Sequence, residues 1–144
     1  MIEVIVGCLF PMFLTPDSLS EYKECQVVKE QVVYVEQWHD LIAKHFKPED
    51  VVQAMTIIYC ESSGKETAVG RNTNGTDDVG LWQFNDKTWA WLKPKLDIIS
   101  NRKNPIISTK VAAWLVYNDG WHHWNSSKHC WKGHDNVLLS INTQ

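Results

Sequence analysis

The sequence predicts an α+β domain with a helical majority. Three observations carry that expectation. Apolar residues recur at helical spacing in several separate stretches; one Asn-Gly turn is flanked by short apolar segments; and the length, 144 residues, is about that of one domain. Hydrophobic residues make up 44% and charged residues 22%, a balance too apolar for disorder. The net charge of −3 argues against a dedicated nucleic-acid binder, and no apolar run is long enough for a membrane span.

Taken in order, residues 2–14 are apolar apart from Glu3, with Pro11 in the middle. A targeting peptide prefers a positive charge before its apolar run. Residues 1–16 therefore stand apart, either as a targeting segment or as a piece packing on the core, and 17–144 form a single domain. Ser18 and Glu21 have capping-box spacing. Residues 27–35 are rich in valine and lean toward strand. Trp38, Leu41, Ile42, His45 and Phe46 follow helical spacing. Pro48, Glu49 and Asp50 suit the first turn of the next helix. There Val51, Val52, Met55, Ile58 and Tyr59 form one stripe, and Gly64 is a stop signal.

Asn74-Gly75 then marks a turn, and Val69, Val79, Leu81 and Phe84 around it read as a small hairpin. Residues 89–92 read as a short helix, with the pair Trp89 and Trp91 supplying core and one exposed face. Pro105 opens a longer helix through Val111, Trp114, Leu115 and Tyr117, stopped by Gly120. A final short helix carries Trp121 and Trp124. Eight tryptophans mean either a heavy core or a groove that stacks flat rings such as sugars.

Glu61 is the first candidate for chemistry. At about 100° per residue it falls between Ile57 and Ile58, at the margin of the apolar stripe. Partial loss of water raises a carboxyl pKa, and the carboxyl end of a helix pushes the same way. A carboxylic acid kept protonated near neutral pH is what a general acid must be. Downstream, Asp78 follows the Asn-Gly turn. A helix-end Glu with a hairpin-borne Asp matches the two-carboxylate arrangement of glycoside hydrolysis.

The stretches Tyr59-Cys60-Glu61-Ser62-Ser63-Gly64 and Arg71-Asn72-Thr73-Asn74-Gly75-Thr76-Asp77-Asp78-Val79-Gly80-Leu81-Trp82-Gln83-Phe84-Asn85 resemble the lysozyme-like superfamily. Glu61-Ser62 and Gly80-Leu81-Trp82-Gln83 resemble lytic transglycosylase SLT domains. Residues 72–85 are also similar to the hairpin of c-type lysozymes, and Gly120-Trp121-His122-His123-Trp124 to the Trp-bearing helix beside the same cleft. Similar patterns occur in phage lysozymes. The resemblance spans about residues 51–131 and implies a helical lobe and a small β lobe around a glycan cleft.

Residue by residue, the resemblance implies Glu61 as general acid and Asp78 as second carboxylate. The adjacent Asp77 remains open to that role. Trp121 becomes the apolar wall beside Glu61, the arrangement that raises the acid's pKa in lysozyme. Asn72, Gln83 and Asn85 become cleft residues. The c-type enzymes join the regions of Cys60 and Cys130 by a disulfide, so these two of the four cysteines are expected to pair, although c-type chains carry more cysteines than this one.

The implied function is a muramidase cutting β-1,4 bonds between N-acetylmuramic acid and N-acetylglucosamine in peptidoglycan. A lytic transglycosylase, in which the sugar's own hydroxyl attacks, is the second enzyme reading. A glycan-binding or virion structural module is the non-enzymatic one. Peptidoglycan strands are the expected partner and chitin oligomers a side substrate, for a monomer without cofactor that is secreted, periplasmic or virion-associated. His122, His123, His129, Cys130 and His134 fit no standard zinc spacing and read as a polar rim or surface, with no metal expected.

Overall fold

The computed structural model describes residues 34–132 together with Pro16, Asp17, Ser20 and Lys23. The fold is lysozyme-like α+β, mostly helical, with one small antiparallel sheet. The capping signal at Ser18 and Glu21 lies outside the described residues. The end of the valine-rich stretch is helical at 34–36 rather than extended, and Val35 is fully buried there. Burial in the helical core overrides its strand propensity.

Helix α1 spans His39–His45 and buries Ile42, with Phe46 buried just beyond its end. A 3₁₀ turn, Pro48–Asp50, leads directly into α2, Val51–Ser62. The expected apolar stripe of α2 is wider than the sequence spacing suggests. Ala54, Met55, Thr56, Ile57 and Ile58 are all buried in succession. Such a run marks a central helix covered on several faces. Full burial of Ile57 and Ile58 contributes about 1.5–3 kcal/mol each.

The helix ends at Ser63, left-handed at φ 53°, and at Gly64, φ 76°. A Cβ on Gly64 would lie 2.7 Å from the Tyr34 carbonyl oxygen, so this stop has to be glycine. The Gly64 carbonyl in turn accepts from the Trp38 indole at 2.7 Å.

Strands β1 Val69–Arg71, β2 Asp77–Val79 and β3 Phe84–Asn85 form an antiparallel sheet in order 1-2-3. Gly70 pairs with Asp78, and Asp78 with Asn85. The first turn closes through Asn72 N–H to the Thr76 carbonyl, with Gly75 at φ 82° as the Asn-Gly signal requires. Helix α3, Asp86–Lys95, buries Trp89 and Leu92 and leaves Trp91 exposed. It starts earlier than residue 89 because the Asn85 side chain caps it, and it runs on through Pro94 in its last turn. Helix α4, Pro105–Asp119, is capped by the Asn104 side chain and stopped by Gly120 at φ 94°. The last described segment is a 3₁₀ stretch, Trp121–Ser127, kinked at Trp124, and a short helix α5, Lys128–Trp131.

The core centres on Trp82, which is fully buried between Phe46 at 5.4 Å and Trp124 at 5.5 Å between ring centroids. Its indole N–H donates to Thr109 Oγ1, and its carbonyl accepts from the Trp124 indole. Of the eight tryptophans, Trp82, Trp89, Trp124 and Trp131 are buried in the core, and the other four are partly exposed. Among the described residues, no buried side-chain polar atom lacks a hydrogen-bond partner.

Candidate active site

Glu61 is the penultimate residue of α2, in its last turn. Its neighbour Ser62 donates into the fold, with Oγ 2.8 Å from the Leu81 carbonyl and 3.0 Å from that of Ile58. This pins the end of α2 against the loop before β3. Burial raises the Glu61 carboxyl above its ordinary value. The nearby Asp78 charge pushes the same way, and a hydrogen bond from the Ser127 hydroxyl to Oε1 opposes both.

Ser127 reaches Glu61 because the chain around it is tied to α2. Cys60 and Cys130 form the expected disulfide, with Cα atoms 6.0 Å apart. The closed loop spans 70 residues, so the chain-entropy account gives about 4 kcal/mol, an upper figure.

Asp78 comes from the opposite, β side. Its Oδ1 accepts from Asn85 Nδ2 at 2.7 Å and its Oδ2 from Asn72 Nδ2 at 3.0 Å. Both amides also contact Thr76 Oγ1, which itself donates to Asn74 Oδ1 at 2.7 Å. Asn85 does double duty: Oδ1 caps α3 through the Lys87 N–H, and that fixes Nδ2 toward Asp78. The network sets the orientation of the Asp78 carboxylate.

A cavity of about 150 Å³ lies between the two carboxyls, walled by Trp82, Phe84 and Trp124, with Gln83, Asn85 and His123 at its polar edge. The geometry separates Asp78 from its neighbour. Asp77 does not line this cavity; its backbone N–H donates to Asp86 Oδ2, and its carbonyl accepts from Arg102. A larger, mostly apolar cavity of about 340 Å³ is lined by Leu96, Ile98, Ile107, Val111 and Trp114, and neither Glu61 nor Asp78 faces it.

Of the expected cleft residues, Asn85 and Gln83 line this cavity, and Trp121 and Asn72 do not. Trp121 is not on the cavity wall: it stacks on Phe46 at 5.9 Å, and Trp124 takes the place beside the cavity. The kinked 3₁₀ stretch, rather than a regular helix, turns one ring toward α1 and the other toward Trp82. Asn72 holds Asp78 without lining the cavity. Gln83 lines it, but its amide nitrogen donates to the Ala68 and Gly80 carbonyls and braces the turn.

The sequence reading does not single out Ser127 or Arg102 as site residues, and it takes His123 only as part of a polar rim or surface. Arg102 donates to the Asp77 and Phe84 carbonyls and to Asp86 Oδ1 at 2.6 Å, clamping β2, β3 and α3 together. Bonds from the Asp77 N–H and from Arg102 hold the Asp86 carboxyl below its ordinary value. No motif marks Arg102, because its partners lie 16 to 25 residues away in the chain.

A desolvated carboxyl on a helix end thus faces an oriented carboxylate on a small sheet within a lysozyme-like fold. A family model, the transglycosylase SLT domain, matches residues 43–124, and the chain belongs to that family. It is a peptidoglycan-acting enzyme of the glycosidase or lytic transglycosylase kind. No curated protein and no solved structure gives a match.

Proposed function

We propose that the protein is a lytic transglycosylase that cleaves the β-1,4 bond between N-acetylmuramic acid and N-acetylglucosamine, with Glu61 as both acid and base. The observation that carries this reading is the position of Glu61, desolvated at the cavity wall with its pKa raised. A carboxyl in that state donates its proton to the glycosidic oxygen as the bond to the anomeric carbon breaks. The resulting Glu61 carboxylate takes the proton from the 6-hydroxyl of the same muramyl ring. That oxygen closes on the anomeric carbon and gives a 1,6-anhydro end. The proton lost at the first step returns at the second, and no water is consumed.

Membership in the SLT family favours this internal attack over the hydrolysis that the two-carboxylate pattern first suggests. In this reading Asp78 stabilises positive charge on the sugar ring as the bond breaks. Hydrolysis stands as the second reading because Asp78 is oriented by two amide donors on the far side of the cavity, as a second carboxylate would be. Mass spectrometry of digested peptidoglycan decides between them. Anhydro-muramyl ends are expected, and reducing muramyl ends in their place would make the enzyme a hydrolase.

A further inference from the structure

Beside the cleft, α4 ends at Asp119, Gly120 reverses the chain direction, and the 3₁₀ stretch brings two imidazoles back over the same carboxylate. His123 Nε2 lies 2.6 Å from Asp119 Oδ2 and His122 Nε2 lies 3.6 Å from the same oxygen. The two rings are 4.2 Å apart between centroids. One ligand atom from each of the three residues falls within 4.8 Å of the others. Neither the SLT match nor the glycan chemistry assigns this cluster a task.

We propose that Asp119, His122 and His123 form a binding site for a zinc-class divalent transition cation at the rim of the cleft. Two imidazoles and one carboxylate are the ligand set that such ions prefer. Tetrahedral coordination at about 2.0–2.2 Å places ligand atoms roughly 3.3 Å apart. The two distances to Asp119 Oδ2, 2.6 and 3.6 Å, bracket that value, and with all three ligand atoms within 4.8 Å of one another, side-chain rotations complete the site. All three groups are reachable from solvent, with His122 and Asp119 about half exposed and His123 20% exposed. The backbone beneath them is anchored: Trp121 stacks on Phe46, and Trp124 packs on Trp82. Three protein ligands leave a coordination position open toward solvent.

The sequence spacing concealed this site because it directed attention to His129 and Cys130. Cys130 is committed to the disulfide, and Asp119 supplies the third ligand from the preceding helix. His123 also lines the cavity that holds Glu61 and Asp78. A bound ion would fix that imidazole and add positive charge at the cleft rim, and so slow glycan cleavage. This consequence, unlike the ion site itself, rests on the cavity being the active site.

The test uses the tag-free protein treated with chelator and titrated calorimetrically with zinc chloride, and with Co²⁺ followed by its visible absorption. One ion per chain is expected, with the intense visible bands of low-coordinate Co²⁺. His122→Gln and Asp119→Asn should each weaken binding by at least about tenfold, with thermal melting unchanged. Absence of saturable binding, or equal binding by His122→Gln, would overturn the site and leave an Asp119–His123 ion pair only. Cell-wall cleavage by the wild type should fall with zinc at the binding midpoint, and His122→Gln should resist. Binding without inhibition would keep the site and overturn its hold on the cleft.

Discussion

The two carboxyls that face each other across the cavity are prepared in opposite ways. Glu61 belongs to the helical side. Burial dominates its environment, one hydroxyl donates to it, and the segment that supplies the hydroxyl is fastened to α2 by a disulfide. Asp78 belongs to the β side. Two amides hold it, themselves fixed by a turn hydroxyl and a helix cap. Desolvation favours the protonated form of an acid, whereas paired donors orient a carboxylate. Under the proposed function this contrast separates the labour: the dry group moves the proton, and the held group presents its charge to the sugar ring.

Removing the dry group has the largest expected effect. Glu61→Gln should lower cell-wall cleavage by about 10²–10⁴-fold, because the amide keeps the shape and cannot donate the proton. The same variant carries a stability signature. Burial raises the folded-state pKa, so the wild type loses stability relative to Glu61→Gln as pH climbs from below 4.5 through the raised value. Thermal melting followed across pH should show the two converging in acid and the wild type falling behind at neutral pH. Opening the fastening comes next. Cys60→Ser with Cys130→Ser should cost up to about 4 kcal/mol in denaturant unfolding, and an unchanged midpoint would mean that packing alone holds Ser127 in place.

Disturbing the held group should matter less. Asp78→Asn is expected to slow cleavage by no more than about 10²–10³-fold and to leave anhydro products, while Asp77→Asn stays near wild type. A loss beyond the roughly 10²–10³ typical of a lost charge stabiliser would favour hydrolysis through Asp78. The smallest change is a shift in pH dependence. Ser127 donates to Glu61 and lowers its pKa, so Ser127→Ala should move the basic limb of the pH–rate profile upward. A downward shift would contradict that hydrogen bond.

The same two regions differ in how legible they were. The β side is assembled from residues 72–85, and local turn chemistry made the hairpin, Asp78 and its amides readable from the sequence. What did not show there was that Asn72 holds Asp78 without lining the cavity, and that Gln83 lines it with its amide nitrogen spent on two backbone carbonyls. The helical side depends on contacts across long separations. Ser127 meets Glu61 from 66 residues away, and Trp124 meets Trp82 from 42. Helical periodicity located Glu61 at the edge of the apolar stripe but carried no information about what would cover it. The disulfide was expected only through likeness to c-type lysozymes. The exchange of Trp121 for Trp124 at the cavity wall follows from a 3₁₀ kink that side-chain spacing does not reveal. Ser127 and Cys130 also lie beyond residues 43–124, so the acid's hydrogen-bond partner and its covalent tie come from outside the family-matched stretch.

The central claim is that burial keeps the Glu61 carboxyl protonated into the range where it can act as an acid. Carbon-13 NMR titration of the glutamate side-chain carboxyls, with the Glu61 signal assigned by its absence in Glu61→Gln, measures this directly. The account predicts a Glu61 midpoint above the ordinary 4.5, moving higher still in Ser127→Ala. A midpoint at or below 4.5 would contradict it and remove Glu61 as the proton donor.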